Sequence, residues 1–148
     1  MASPETTAFA LPDELIIETS AARRNIGEFI RAQLAQAVFD NVVLGLSAGI
    51  DSALVAYLAA EAIGPENVKA VLMPFKTSSP ESRADAETAV ADLGCHSELV
   101  DISAMVDAYF EDGRPDAAPL RRGNLVARTR MMVLYDQSVT WNSLVIGT

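Results

Sequence analysis

Apolar positions along the chain follow two rhythms. Short unbroken apolar runs, the clearest being Val42-Val43-Leu44, read as strands covered on both faces. The same reading gives strands at Asn67 to Met73, at Ser97 to Val100 and at Ser143 to Ile146. Between them, apolar residues recur at helical spacing. Pro12 with Asp13 and Glu14 behind it predicts a helix start, since proline fits a first turn and early acids suit the dipole. Ile16, Ile26, Phe29, Ile30, Leu34 and Val38 extend that helix to about Phe39 as a stripe that covers the sheet, with apolar surface to spare for a second subunit. A second helix begins near Asp51 and runs through Ala53 to Ile63, where Gly64-Pro65 stops it. Pro74 to Ser79 is a loop. Ser78 or Ser79 caps the next helix, with Pro80 in its first turn and Glu81 placed for a capping box with Ser78. That helix ends at Leu93 before Gly94. A brief helix over Ser103 to Phe110, a polar loop over Glu111 to Pro119 and a helix from Leu120 to about Thr140 complete the series.

Strand and helix alternate, which predicts an α/β fold: an open, doubly wound parallel sheet with helices on both faces. Met1 to Ala10 reads as a loose leader, and residues 11–148 as one domain-sized unit. In such sheets ligands bind beyond the C-terminal strand ends. Ser47, Pro74 and Gly147 each follow a strand, so the three loops are expected at one edge.

Half of the 148 residues are hydrophobic, enough for a substantial core. A net charge of −9 argues against a nucleic-acid surface, which needs a basic face. The single cysteine, Cys95, excludes an internal disulfide and a thiolate metal cluster. Cys95 and His96 are assigned to packing or surface, because a strand turns neighbours to opposite faces. No signal peptide is visible, and no run approaches the roughly 20 apolar residues of a membrane helix. The cytoplasm is the simplest compartment.

The candidate chemistry sits in Gly45-Leu46-Ser47-Ala48-Gly49-Ile50-Asp51-Ser52. Small residues between a strand and a helix let backbone N–H groups point into one concavity, and a helix N-terminus there attracts phosphate. Asp51 puts a carboxylate where a phosphate would sit, an arrangement that calls for a cation between them. The string is similar to the S-G-G-x-D-S signature of the PP-loop ATP pyrophosphatases, which cut ATP between its α- and β-phosphates. A Walker A ending is absent.

Further segments narrow the resemblance. Val71-Leu72-Met73-Pro74, Thr77 to Ser82 with Asp85-Ala86, Arg122-Gly123-Asn124-Leu125-Val126-Ala127-Arg128 and Val145-Ile146-Gly147-Thr148 resemble, in order, the first half of ammonia-dependent NAD synthetases. The resemblance implies an adenine nucleotide alpha hydrolase-like fold and a cytoplasmic homodimeric ligase in NAD biosynthesis. Such a ligase amidates deamido-NAD with ammonia through an adenylate, using ATP and Mg²⁺ and releasing AMP and pyrophosphate. It further implies that Gly45, Leu46, Ser47, Ala48, Gly49, Ile50, Asp51, Ser52 and Thr148 bind ATP, that Asp51 ligates the metal and that Arg128 contacts deamido-NAD. Arg121, Arg122 and Arg130 are nearby candidates for that contact. Ser78, Ser79 and Asp85 are read as caps and surface groups, and Met73 and Phe75 as adenine neighbours or core. No residue is assigned to proton transfer.

Two departures qualify the match. Ala48 stands where the family pattern has a second glycine. Its methyl costs little at negative φ and on the order of 1 kcal/mol at positive φ. The chain also stops after its fourth strand, before the glutamate and lysine that the family places beyond it. A non-catalytic remnant that binds a nucleotide or partner, or another PP-loop amidating enzyme, is therefore the alternative. Catalysis by the isolated 148 residues is not expected.

Overall fold

The computed structural model describes residues 16–47, 49–111 and 118–147. Four strands, β1 (Asn41–Gly45), β2 (Val68–Leu72), β3 (His96–Leu99) and β4 (Ser143–Val145), form one sheet in the order β3-β2-β1-β4. Every pairing is parallel, with Val42 opposite Val68 and Leu144, and Lys69 opposite His96. Among the described residues α1 (Thr19–Ala37) precedes the sheet, and α2 (Ile50–Ile63), α3 (Pro80–Leu93), α4 (Ser103–Glu111) and α5 (Pro119–Thr140) connect its strands.

The pleat sorts the core into two layers. Val42, Leu44, Val68, Ala70 and Leu72 face one side, where Leu34 of α1, Ala56 and Ala59 of α2 and Ala86 of α3 close over them. Val43 and Val71 face the other, packed with Ile102, Val106 and Phe110 around α4 and Val133 of α5. Helices thus cover both faces, as the alternating pattern predicts. The sheet's central positions are dry: Val42, Val43, Val68, Ala70 and Val71 are all wholly buried.

Boundaries fall within one or two residues of expectation, with three exceptions. The helix that carries the stripe starts at Thr19 rather than continuing back toward Pro12 without a break. Residues 16–18 are extended or irregular, and Pro12, Asp13 and Glu14 lie outside the described residues. Glu18 is the N-cap instead, its carboxylate accepting from the Ser20 and Ala21 amides at 3.0 and 2.6 Å and from the Ser20 hydroxyl. Those bonds, led by the Ser20 hydroxyl, hold the carboxyl below its usual range. An acid that satisfies orphan helix amides fixes the start of α1 at this point.

The apolar stripe of α1 also divides. Leu34 and Ile30 enter the core, while Ile16, Ile26, Phe29 and Val38 remain exposed. The helix packs on α2, where Arg23 pairs with Glu61 at 2.7 Å and Arg31 donates to the Ala62 carbonyl at 3.0 Å. The third exception is the cap of α3. Ser79 accepts from the Ser82 amide at 3.1 Å, and the Ser78 hydroxyl is spent on the Phe75 amide. The Ser78–Glu81 capping box is therefore not formed.

Val38 follows the helical period but ends the helix in the left-handed region, at φ 60° and ψ 45°, with 86% of its surface exposed. A β-branched residue is disfavoured there, and no burial compensates. Val38→Gly is expected to raise stability by about 1 kcal/mol, because strain relief exceeds the added chain entropy. A denaturant melt measures this, and a lower midpoint in the variant would contradict the strain.

Candidate functional site

β1 ends at Gly45, and the chain crosses to α2 through Leu46, Ser47 and Gly49; Ala48 lies outside the described residues. Leu46 is buried, and its amide donates to the Val71 carbonyl at 3.0 Å, so that donor belongs to the sheet. Gly45 has no positive φ, and a Cβ there would come 3.0 Å from Met73 Cε, so the methionine would have to shift. Gly49 has an ordinary φ of −72° and caps α2 with no side-chain oxygen. A serine or aspartate at that position would satisfy the first helical amides, whereas glycine leaves them open to a ligand.

Two hydroxyls close the loop on itself. The Ser47 amide donates to Ser52 Oγ at 3.1 Å, and the Gly49 amide donates to Ser47 Oγ at 3.1 Å. The two hydroxyl oxygens lie 2.9 Å apart. Ser52 Oγ is also 3.1 Å from the Ser47 carbonyl oxygen and 3.0 Å from that of Gly49, and its one hydrogen serves one acceptor at a time. Ser47 and Gly49 amides are thus held by oxygens of the kind a phosphate supplies. Ile50 and Asp51 are exposed on the first turn of α2. Thr148 lies outside the described residues.

The loop forms one wall of a cleft of about 560 Å³ at the C-terminal strand edge. Pro74, after β2, and Gly147, after β4, line the same cleft, so the three loops meet as expected. Its floor is apolar, built from Leu44, Leu72, Met73, Leu134 and Ile146. Its charges are Arg83, from the first turns of α3, and Arg130, from α5. No carboxylate is among the described residues that line it. For a chain of net charge −9 that exclusion is a strong local bias toward an anion. Met73 serves both core and cleft, while Phe75 belongs to the core.

Ser78, read from sequence as a cap or surface group, lines the cleft too, as do Ser82 and Arg83, to which the motifs assign no role. The signal that finds them is topological: a helix following β2 starts at the ligand edge, so its first turns face the cleft. Arg83 also pairs with Glu87 at 2.7 Å. Arg128 is not brought into this cleft. It lines a second, shallower depression of about 280 Å³ with Tyr109, Phe110, Arg121 and Asn124. Arg122 stacks over Phe110 at 4.5 Å. Arg128 and Arg130, two positions apart on one helix, point to different sides, as about 3.6 residues per turn requires.

Among the described residues, no group of three histidines, cysteines or acids is placed to hold a metal. Asp51 is a single carboxylate beside open helix amides. That suits an ion such as Mg²⁺, commonly held by one or two carboxylates plus substrate phosphates, rather than an all-protein cage. Cys95 is half-buried against the core, and burial pushes its thiol up. His96 is exposed and meets Trp141 edge-on at 5.3 Å.

An open parallel α/β sheet with helices on both faces and a cleft at the C-terminal strand ends defines a domain of the doubly wound class. The family model described as NAD synthase matches residues 22–148, and the chain belongs to that family. It is 50% identical over 134 residues to an NH(3)-dependent NAD(+) synthetase of Trichlorobacter lovleyi, covering 90% of this chain and 49% of that protein. The solved NH3-dependent NAD synthetase of Campylobacter jejuni superposes with a TM-score of 0.84 at 38% identity, covering 90% of this chain and 57% of the other. An NMN synthetase of Francisella tularensis gives a TM-score of 0.83 at 26% identity, covering 90% and 55%. The chain spans about half the length of the curated relatives it matches.

The hydroxyl closure makes a direct prediction. Ser52→Ala removes the acceptor of the Ser47 amide, so exchange of that amide should quicken and stability should fall by about 1 kcal/mol. Amide exchange followed by NMR reads both, and an unchanged Ser47 rate would contradict the closure.

Proposed function

We propose that these residues form the ATP-binding part of an NH3-dependent NAD synthetase, which converts deamido-NAD to NAD with ammonia. The observation that carries the reading is a cleft lined, among the described residues, by two arginines and no carboxylate beside an uncapped helix, in a chain of the NAD synthase family. In the proposed reaction the nicotinate carboxylate attacks the α-phosphate of ATP and pyrophosphate leaves. Ammonia then attacks the carbonyl carbon of the adenylate, and AMP departs.

Each stage asks something of this chain. The flat aromatic face of the adenine suits the apolar floor around Leu72 and Met73. The phosphates belong at the Ser47–Ser52 loop, where they exchange with the Ser47 and Ser52 hydroxyls for the loop amides and gain the open amides of α2. Once the hydroxyls are displaced, the loop amides and the first amides of α2 would meet the charge on the departing pyrophosphate. Arg83 and Arg130 add positive charge around the same space. An apolar floor limits water near the adenylate, which hydrolysis would otherwise waste. Asp51 would hold Mg²⁺ brought in with the nucleotide, and the ion would supply neutralisation of phosphate charge.

Arg128 lies outside the ATP cleft, and its depression, with Arg121 and Asn124, is the proposed contact for deamido-NAD. Thr148 is proposed to complete the nucleotide site. The proposal carries with it a homodimer in the cytoplasm. Exposed Ile26 and Phe29 on α1, and Met132, Tyr135 and Val139 on α5, support the dimer, since they are apolar surface a partner would cover. No helix among the described residues is long and apolar enough to cross a membrane.

Asp51→Asn tests the metal role. The neutral amide cannot balance a cation, so Mg-ATP affinity should fall on the order of tenfold while metal-free ATP binds about as before. Calorimetric titration with and without magnesium decides it. Equal loss in both conditions would remove Asp51 from the metal.

A further inference from the structure

We propose that Arg130 is an anion-binding residue of the cleft, facing the phosphates of the nucleotide rather than deamido-NAD. The assignment rests on the nucleotide reading above and goes beyond it. Arg130 comes from α5, on the face of the sheet opposite α2, and reaches the strand ends. There its Nε donates to the Met73 carbonyl at 3.2 Å, one residue past the end of β2. That bond fixes the plane of the guanidinium and leaves its terminal nitrogens for other acceptors. None of those nitrogens has a hydrogen-bond partner among the described residues, and the side chain is only partly exposed.

Charge bookkeeping separates Arg130 from the other arginines of the two concavities. Arg83 is already balanced by Glu87 and is 55% exposed. Arg128 is exposed to solvent in the second depression. Arg130 has no carboxylate partner among the described residues and stands in a cleft that none of their carboxylates lines. A partly desolvated cation without a counter-ion calls for an anionic ligand. The ligand edge then grips an anion from both layers of the fold, with open amides of α2 on one side and an anchored guanidinium on the other. Terminal guanidinium nitrogens suit two oxygens of one phosphate or of neighbouring phosphates.

The test uses the full 148-residue chain, with ATP, inorganic tripolyphosphate and adenosine as probes in calorimetric titrations. Arg130→Met should weaken ATP and tripolyphosphate on the order of tenfold, the scale of one hydrogen bond to a charged group, and leave adenosine unchanged. Arg130→Lys keeps the charge and should fall between the two, and it carries the test if circular dichroism shows the methionine variant unfolded. Unchanged ATP affinity in both variants would overturn the assignment. So would an equal loss for adenosine and ATP, because Arg130 would then act only by holding Met73 and the adenine wall. A parent chain that binds adenosine but not tripolyphosphate also overturns it, while a parent that binds none of the probes sinks the nucleotide reading and the assignment together.

Discussion

Parallel pairing of all four strands is the constraint on which the site depends. Because β1, β2 and β4 run in one direction, the loops that leave them must emerge at one edge. The helices have to return along the faces, so their N-termini are delivered to that same edge. Ser47, Pro74 and Gly147 are far apart in sequence and meet in one cleft for this reason alone. The dry pair of layers above and below the sheet, with Val42 and Val43 both fully buried, makes the edge rigid enough to hold small groups in place.

Electrostatics then act on what topology assembles. An acidic chain tends to repel phosphate, so an anion site has to be cleared of carboxylates locally. The described lining does this, and it adds Arg83 and Arg130 to the open end of α2. The loop's own hydroxyls meanwhile keep the exposed Ser47 and Gly49 amides paired. Glycine at position 49 is part of the same arrangement. With no side chain to cap α2, the helix leaves its first donors to the ligand, and a Cβ there would press on Ser47 Oγ at 3.1 Å.

Topology was legible in the sequence because unbroken apolar runs and helical periods alternate cleanly, and the small-residue loop marks its own place between a strand and a helix. Local competition was harder to read. The start of α1 is set by the Glu18 carboxylate, which takes the first helix amides, and the apolar period gives no sign of that break. Val38 keeps the helical period and still leaves the helix, since the chain must turn toward β1 and the left-handed cap achieves that. Ser78 and Ser79 are equivalent as letters, and only the turn at Phe75 decides which one caps α3. Arg128 and Arg130 share a short motif, and their different surroundings depend on how α5 is rolled against the sheet.

The central claim is that the cleft at the strand ends takes ATP with its phosphates on the loop between β1 and α2. Backbone amide shifts of the isotopically labelled chain, recorded as ATP is added, test it most directly. The account predicts the largest changes at Ser47, Gly49 and the first turn of α2, with smaller ones at Met73 and Gly147. Changes concentrated at Tyr109, Asn124 and Arg128, with the loop amides unmoved, would contradict it.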